Sequence, residues 1–386
     1  MSKIHITLVG GQPAPVYHGI VATKPDKVVF IYSDGSREVV DKLRNEITIP
    51  VDEQPPLDPT DPIEILRRAE VLAKKYAEDE VTVNISSGLK SWSHLFGITF
   101  DKCPNATVVY MDQNNILWDY HTMQPRTDFG FDMHVLFRLY GNSLENNYKK
   151  FSEYTDKDAE ALRIIEEMRW FNIMAFNKLV ALLDSGRQRS IKSSPNGRWE
   201  DPEYPGNYVE WKRSEEKVSG EDEKVVLSLC SPKKGNKKKE IVSPNATGLV
   251  FNSGWFEYKV ARLLSTWKKA KEICLNCRFP FNPNIDKNET DIIVNTGTKI
   301  LFVECKTQVA KPTDIDKFRS VVKTYGGTGS KGLFVTEAKM SEIVRKKCEE
   351  NGILVFSFAD AEKFYLKPEQ ALHMLLDNEW LNINTK

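Results

Sequence analysis

Nothing in these 386 residues approaches the roughly 18 consecutive apolar residues that a membrane-spanning helix needs. The opening run, residues 3–9, is too short and too regularly alternating for a secretory signal. Both absences predict a cytoplasmic protein with no membrane partner. Cysteine is scarce: Cys103, Cys230, Cys274, Cys277, Cys305 and Cys348 lie scattered along a long chain, which predicts free thiols in a reducing compartment. Cys274 and Cys277 have a zinc-like C-x-x-C spacing, but no second pair completes four ligands. Excess charge is missing too, with 54 Lys and Arg against 54 Asp and Glu. Any nucleic-acid binding must therefore come from local basic patches, of which residues 233–239 (KKGNKKK) and Lys268, Lys269 and Lys271 are candidates. No G-x-G-x-x-G follows the first strand-like run and no Walker A sequence occurs, so neither a dinucleotide cofactor nor a P-loop is supported. No Arg stands five to seven residues before any of the six histidines, which removes a nuclease built on an Arg-x4–6-His pair.

What is present is the composition of a globular protein, 40% hydrophobic and 28% charged. The length suits two or three units, each able to bury a core. Up to about residue 120, β-rich runs at 5–9, 28–32, 47–51, 81–85 and 107–111 alternate with helical stretches. Their near-continuous apolarity predicts a parallel, doubly wound α/β sheet covered on both faces. Before the fourth run, Asp61 can cap a helix with Pro62 at its first position and Glu64 completing a capping box; its apolar face reads Ile63, Leu66, Ala69, Leu72 and Ala73. Residues 156–183 read as one long helix. Residues 186–243 hold Gly, Pro and charge clusters around runs at 208–212 and 224–229, with a lysine-rich turn after them, and predict an irregular or winged connector. The expected division is 1–150, 151–246 and 247–386. The last unit is a second α/β domain: a helix at 255–270, then strands near 291–294, 300–305, 332–335 and 353–358.

The chemistry concentrates in ETDIIVNTGTKILFVECKTQ. Asp291 begins one strand, and Glu304 and Lys306 lie two apart on the next, hence on one face. A hairpin turn at 295–298 can bring Asp291 beside them. Two carboxylates and an ammonium would converge there, a hard-oxygen set that suits Mg²⁺ or Mn²⁺ bound with phosphate oxygens and water. Such a metal would polarise a phosphodiester while Lys306 stabilised the charge that builds on it. The bland alternative is a solvated hairpin face, since acid–x–Lys triplets are common. Glu257 on the preceding helix (GWFEYKVARLL), the apolar hairpin core and Gln308, expected in register on the same strand, favour the site.

Together these features resemble the PD-(D/E)XK nuclease superfamily over about 110 residues, with Thr290 where the motif has Pro. The resemblance implies a restriction-endonuclease-like fold and a metal held by Asp291, Glu304 and the backbone carbonyl of Cys305. It further implies catalysis by Lys306 and an accessory role for Glu257. In the first domain, three loops stand at strand ends where open α/β sheets bind ligands: Gly10-Gly11-Gln12-Pro13, residues 84–90 (NISSGLK) and residues 112–115 (DQNN). The second puts small residues, hydroxyls and Lys90 at a helix start, a fitting phosphate cradle.

The segments LVGGQPAP, NISSGLKSW and MDQNN resemble the Rossmann-like CRISPR-associated sensor domain (CARF) that binds cyclic oligoadenylate. Fused to a PD-(D/E)XK module, the whole chain is similar to ancillary nucleases of type III CRISPR antiviral defence. That likeness implies a homodimer that cuts single-stranded DNA or RNA, or nicks duplex DNA, once cyclic oligoadenylate binds, most simply cyclic tetra-adenylate. The ligand contacts it implies are Gly11, Gln12, Pro13, Ser86, Ser87, Gly88, Lys90, Asp112, Gln113 and Asn114. A ligand-responsive nucleic-acid-binding regulator without catalysis, using KKGNKKK against phosphates, is the competing expectation.

Overall fold

The computed structural model describes residues 1–112, 116–126, 132–181, 194–213, 220–251, 253–297, 299–327, 330–361 and 366–381. The N-terminal sheet is built from β1 (Lys3–Leu8), β2 (Lys27–Ile31), β3 (Val51–Asp52), β4 (Glu80–Asn84), β5 (Ala106–Met111), β6 (Leu117–Asp119) and β7 (Gln124–Arg126). Its order is β3-β2-β1-β4-β5-β6-β7, parallel through β5 and closed by two short antiparallel strands. Ile6, Leu8, Val29, Val81 and Val83 are buried in one layer of core, while Val28, Phe30 and Val40 are buried in the other. Both faces are therefore covered, as the apolar runs required. The third run shrinks to Val51–Asp52, because Pro50 ahead of it has no N–H to give a ladder.

Asp61 caps the helix Pro62–Lys75, its carboxylate accepting from the amides of Ile63 (2.9 Å) and Glu64 (3.2 Å). The face it buries is Ile65, Ala69 and Leu72, not one led by Ile63, which stands 77% exposed. The expected long helix is two: Asp156–Phe171 and Ile173–Val180. Asn172 breaks it with an extended backbone, its side-chain oxygen accepting from Ala175 N (3.1 Å) and its amide donating to Cys230 O (2.8 Å). Apolar periodicity continues straight through the break, which is why it reads as one helix. Residues 182 and 183, the end of that expectation, lie outside the described residues.

After the short strand β8 (Lys149–Lys150) the connector contains an antiparallel sheet. Its strands are β9 (Asn196–Glu200), β10 (Tyr208–Lys212), β11 (Glu223–Ser231) and β12 (Gly235–Ser243), in the order β12-β11-β10-β9. Lys237, Lys238 and Lys239 lie in β12 rather than in a turn. Lys237 and Lys239 both pair with Glu167 (2.6 and 3.3 Å), and Lys234 Nζ caps the carbonyls of Trp170 and Phe171 at 3.2 Å each.

The C-terminal sheet adds β13 (Glu272–Arg278), β14 (Glu289–Asn295), β15 (Ile300–Lys306), β16 (Ser330–Thr336) and β17 (Leu354–Ser357), ordered β17-β16-β15-β14-β13-β8. The two outer pairs β15–β16 and β16–β17 are parallel and the rest antiparallel. Strand β13 carries the C-x-x-C pair and was not anticipated. Asn276, in the left-handed region at φ 55°, interrupts the alternation there, so Cys274 and Cys277 face the same core. Burial pushes the Cys274 thiol up to about 12, which suits structural rather than redox thiols. The two α/β units share packing: Phe137, on the helix Met133–Leu139, is buried edge-on against Phe279 at 5.1 Å and Phe302 at 6.1 Å.

Candidate active site

The hairpin β14–β15 pairs Ile292 with Val303 through to Asn295 with Ile300. One step beyond that ladder sets Asp291 against Glu304. Its turn is held by Thr296 N donating to Lys299 O and Lys299 N donating to Thr296 Oγ1, both 3.0 Å, with Gly297 at φ 85°. Thr298 lies outside the described residues. The Cys305 amide donates to Asp291 Oδ2 at 2.6 Å, fixing that carboxylate across the strands. Glu304 is almost wholly buried, and its two oxygens are taken by different cations: Lys306 Nζ at 2.9 Å and Lys287 Nζ at 2.6 Å. Asp291, Glu304 and Lys306 thus meet as the spacing required. Lys287 was missed, since only closure of the loop between β13 and β14 brings it in. Gln308 is not on the strand; β15 ends at Lys306 and Gln308 is exposed in a bend.

Glu257 sits in the first turn of the helix Gly254–Ser265, where the helix dipole favours an anion. Its Oε2 is buried without a hydrogen-bond partner. Burial, then the charges of Asp291 and Glu304, push its carboxyl well above the usual range. The same causes, burial first and Glu304 second, lift Asp291 to about 7 against the pull of Lys287 and the Cys305 amide. Burial would depress the Lys306 ammonium, but Glu304 and Asp291 outweigh it and hold it up at about 12, so it stays charged.

Three carboxylates therefore crowd one buried spot in which one oxygen lacks a partner and two groups resist ionisation. Oxygen donors in that state fit a hard divalent cation, which would relieve the repulsion. Among the described residues no group of three acidic, His or Cys side chains is arranged to hold a metal; Lys287 and Lys306 neutralise Glu304 instead. The strain has a stability consequence. Asp291 binds its proton more tightly folded than unfolded, so its contribution is full below about pH 4 and is lost as pH rises through about 7. Asp291→Asn is expected to stabilise the metal-free protein at pH 8 by on the order of 2 kcal/mol, an advantage that shrinks as pH falls towards 4. Thermal melts in EDTA across that range check it.

In the N-terminal domain, the first and second loops pack together. The Ser87 hydroxyl accepts from Gly10 N (3.0 Å) and donates to Gln12 O (3.4 Å), and a Cβ at Gly10 would stand 2.8 Å from Gly88 N. Gly88 itself has φ 82° and lies against Leu8 and Trp92. Ser86 accepts from Met111 N (2.7 Å), joining the third loop, and hydrogen-bonds the buried Asn84. Gly11 and Gln12 are exposed, Pro13 opens the helix Pro13–Thr23, and Lys90 is exposed at the start of the helix Lys90–Phe100. Asp112 is committed to its own turn: its carboxylate accepts from Ile116 N (3.0 Å) and Trp118 Nε1 (3.1 Å). Gln113 and Asn114 lie outside the described residues. One further contact leaves this loop cluster: the Tyr140 hydroxyl donates to Gln12 Oε1 at 3.4 Å, and its ring packs on Gly327 beyond the C-terminal helix Pro312–Tyr325.

No protein-family model matches this sequence, and no curated protein is matched by it. Solved structures are. Can2 from Sulfobacillus thermosulfidooxidans, in complex with cyclic tetra-adenylate, superposes over 97% of this chain and 98% of its own with a TM-score of 0.59 and 18% identity. Protein VC1899 from Vibrio cholerae covers 98% of each chain at a TM-score of 0.69 and 14% identity. A type III CRISPR defence DNA nuclease activated by cyclic oligoadenylate matches 87% of this chain at a TM-score of 0.53 and 16% identity; the match spans 45% of that larger protein. The chain has their fold. Along the chain a mostly parallel α/β sheet, a connector with an antiparallel sheet and a second, mixed α/β sheet follow one another.

Proposed function

We propose that this chain is a metal-dependent endonuclease, switched on when cyclic oligoadenylate binds its N-terminal domain, that cuts single-stranded DNA or RNA in type III CRISPR defence. The observation that carries the reading is the meeting of Glu257, Asp291 and Glu304 with Lys306 at one end of the C-terminal sheet. Asp291, Glu304 and the Cys305 carbonyl would hold Mn²⁺ or Mg²⁺, which when bound polarises a phosphodiester and acidifies water. Lys306 keeps its proton and donates to the oxygen on which charge builds. Lys287 limits the charge of Glu304 until substrate arrives, and the elevated Glu257 can hold a proton beside the site.

Can2 supports the activator half, through its fold and its bound cyclic tetra-adenylate. A homodimer presents identical loops twice, so a ring with two-fold symmetry is the matching ligand. Gly11, Gln12, Pro13, Ser86, Ser87, Gly88 and Lys90 would receive it, with Gln113 and Asn114 completing the cradle. Tyr140 offers a route from Gln12 to the nuclease half. The regulator reading loses its main support, because Lys234, Lys237 and Lys239 are already engaged within the chain. Cleavage of labelled single strands in Mn²⁺, with the activator and its abolition by EDTA, tests the proposal; cleavage that persists unchanged in EDTA would overturn it.

A further inference from the structure

Trp170 and Phe281 are 86% and 82% exposed, the two most exposed aromatic side chains among the described residues; the next, Tyr204, is 61% exposed. Aromatic rings are ordinarily spent on cores, and a bare ring beside a catalytic site is a surface on which a base can stack. Both stand at the catalytic end of the C-terminal sheet, on opposite sides of β15. On the β16 side, Arg169 forms a bidentate pair with Glu337 (2.8 and 2.7 Å), and Glu337 N donates to Lys306 O at 3.1 Å. Arg169 also stacks over Trp255, two residues before Glu257, at 4.1 Å. Trp170 is its chain neighbour. On the β14 side, Phe281 rides on the loop that delivers Lys287 to Glu304. That loop is pinned at its base by Phe279 N to Asn288 O (2.8 Å) and Asn288 Nδ2 to Phe279 O (2.6 Å).

We infer that Trp170 and Phe281 are stacking platforms for unpaired nucleobases on either side of the scissile phosphate. The inference rests on the nuclease reading and deepens it by naming the side chains that would hold the unpaired strand. Every base has a π-face, so such platforms bind strands without reading sequence. Bases of an intact duplex are stacked on one another and cannot reach them. Lys287 and Lys306, both on Glu304, place positive charge at the site, where the connecting phosphates would run.

The test uses the full-length protein in EDTA, so that nothing is cut, with labelled deoxy and ribo 12-mers and a deoxy counterpart carrying abasic sites at its centre. Trp170→Ala and Phe281→Ala are each expected to weaken binding of base-bearing oligonucleotides by about 5- to 100-fold while leaving the abasic strand unchanged. Trp170→Phe should restore most of the loss. Equal losses on abasic and base-bearing strands, or no loss on either, would overturn the platforms. So would burial of Trp170 in a dimer interface, seen as a Trp170-dependent blue shift of fluorescence as protein concentration rises. Base-dependent binding by a protein that cleaves nothing with any metal would uphold the platforms and sink the nuclease reading instead.

Discussion

Asp291→Ala and Glu304→Ala are each expected to lower cleavage by at least about three orders of magnitude, some 4 kcal/mol of barrier, while the protein stays folded. Removing Asp291 deletes one of two proposed side-chain ligands, and relieves the crowding that burial and Glu304 impose on it. Removing Glu304 leaves Lys287 and Lys306 without their carboxylate, so this variant should also lose some stability, unlike Asp291→Ala. Lys306→Ala should lose cleavage but keep metal affinity, because the ammonium touches a ligand without being one. Metal titrations followed by melting temperature separate these cases: Mn²⁺ should stabilise the parent and the Lys306 variant but not the Asp291 variant. Near-parental cleavage by Asp291→Ala would place the chemistry elsewhere.

Lys90→Ala is expected to raise the activator concentration for half-maximal cleavage by about 10- to 100-fold, the worth of one charge-assisted hydrogen bond. The maximal rate should stay close to the parent's, since Lys90 lies at the helix start in the other domain and the metal site is intact. A ligand activates only through its preference for one conformation, so weakened binding shifts the curve without lowering its ceiling. A fall in maximal rate at saturating activator, with the midpoint unmoved, would instead make Lys90 part of the conformational relay.

Asp291, Glu304 and Lys306 were legible because strand alternation and hairpin pairing are local rules, and they place side chains within a few residues of a turn. The cap at Asp61 was legible for the same reason. Lys287 was not, because its partner lies across a loop whose closure depends on Asn288 and Phe279. The helix break at Asn172 was hidden by periodicity that runs on through it, and is set by a bond to distant Cys230. Strand β13 was masked by its paired cysteines, which drew attention to metal spacing when burial was the reason for both. The lysine run 233–239 looked like a phosphate-binding turn; five of its seven residues are in a strand, where Lys237 and Lys239 answer Glu167.

The proposed protein has two halves, a metal-dependent nuclease and a cyclic-nucleotide switch. One measurement reaches both: initial cleavage rates of labelled single-stranded DNA and RNA by nucleotide-free protein in Mn²⁺, with and without cyclic tetra-adenylate. Near silence is expected without the ring and rapid cleavage with it, in the parent and not in Asp291→Ala. Full cleavage without any cyclic ligand, in protein shown to carry no co-purified nucleotide, would contradict it.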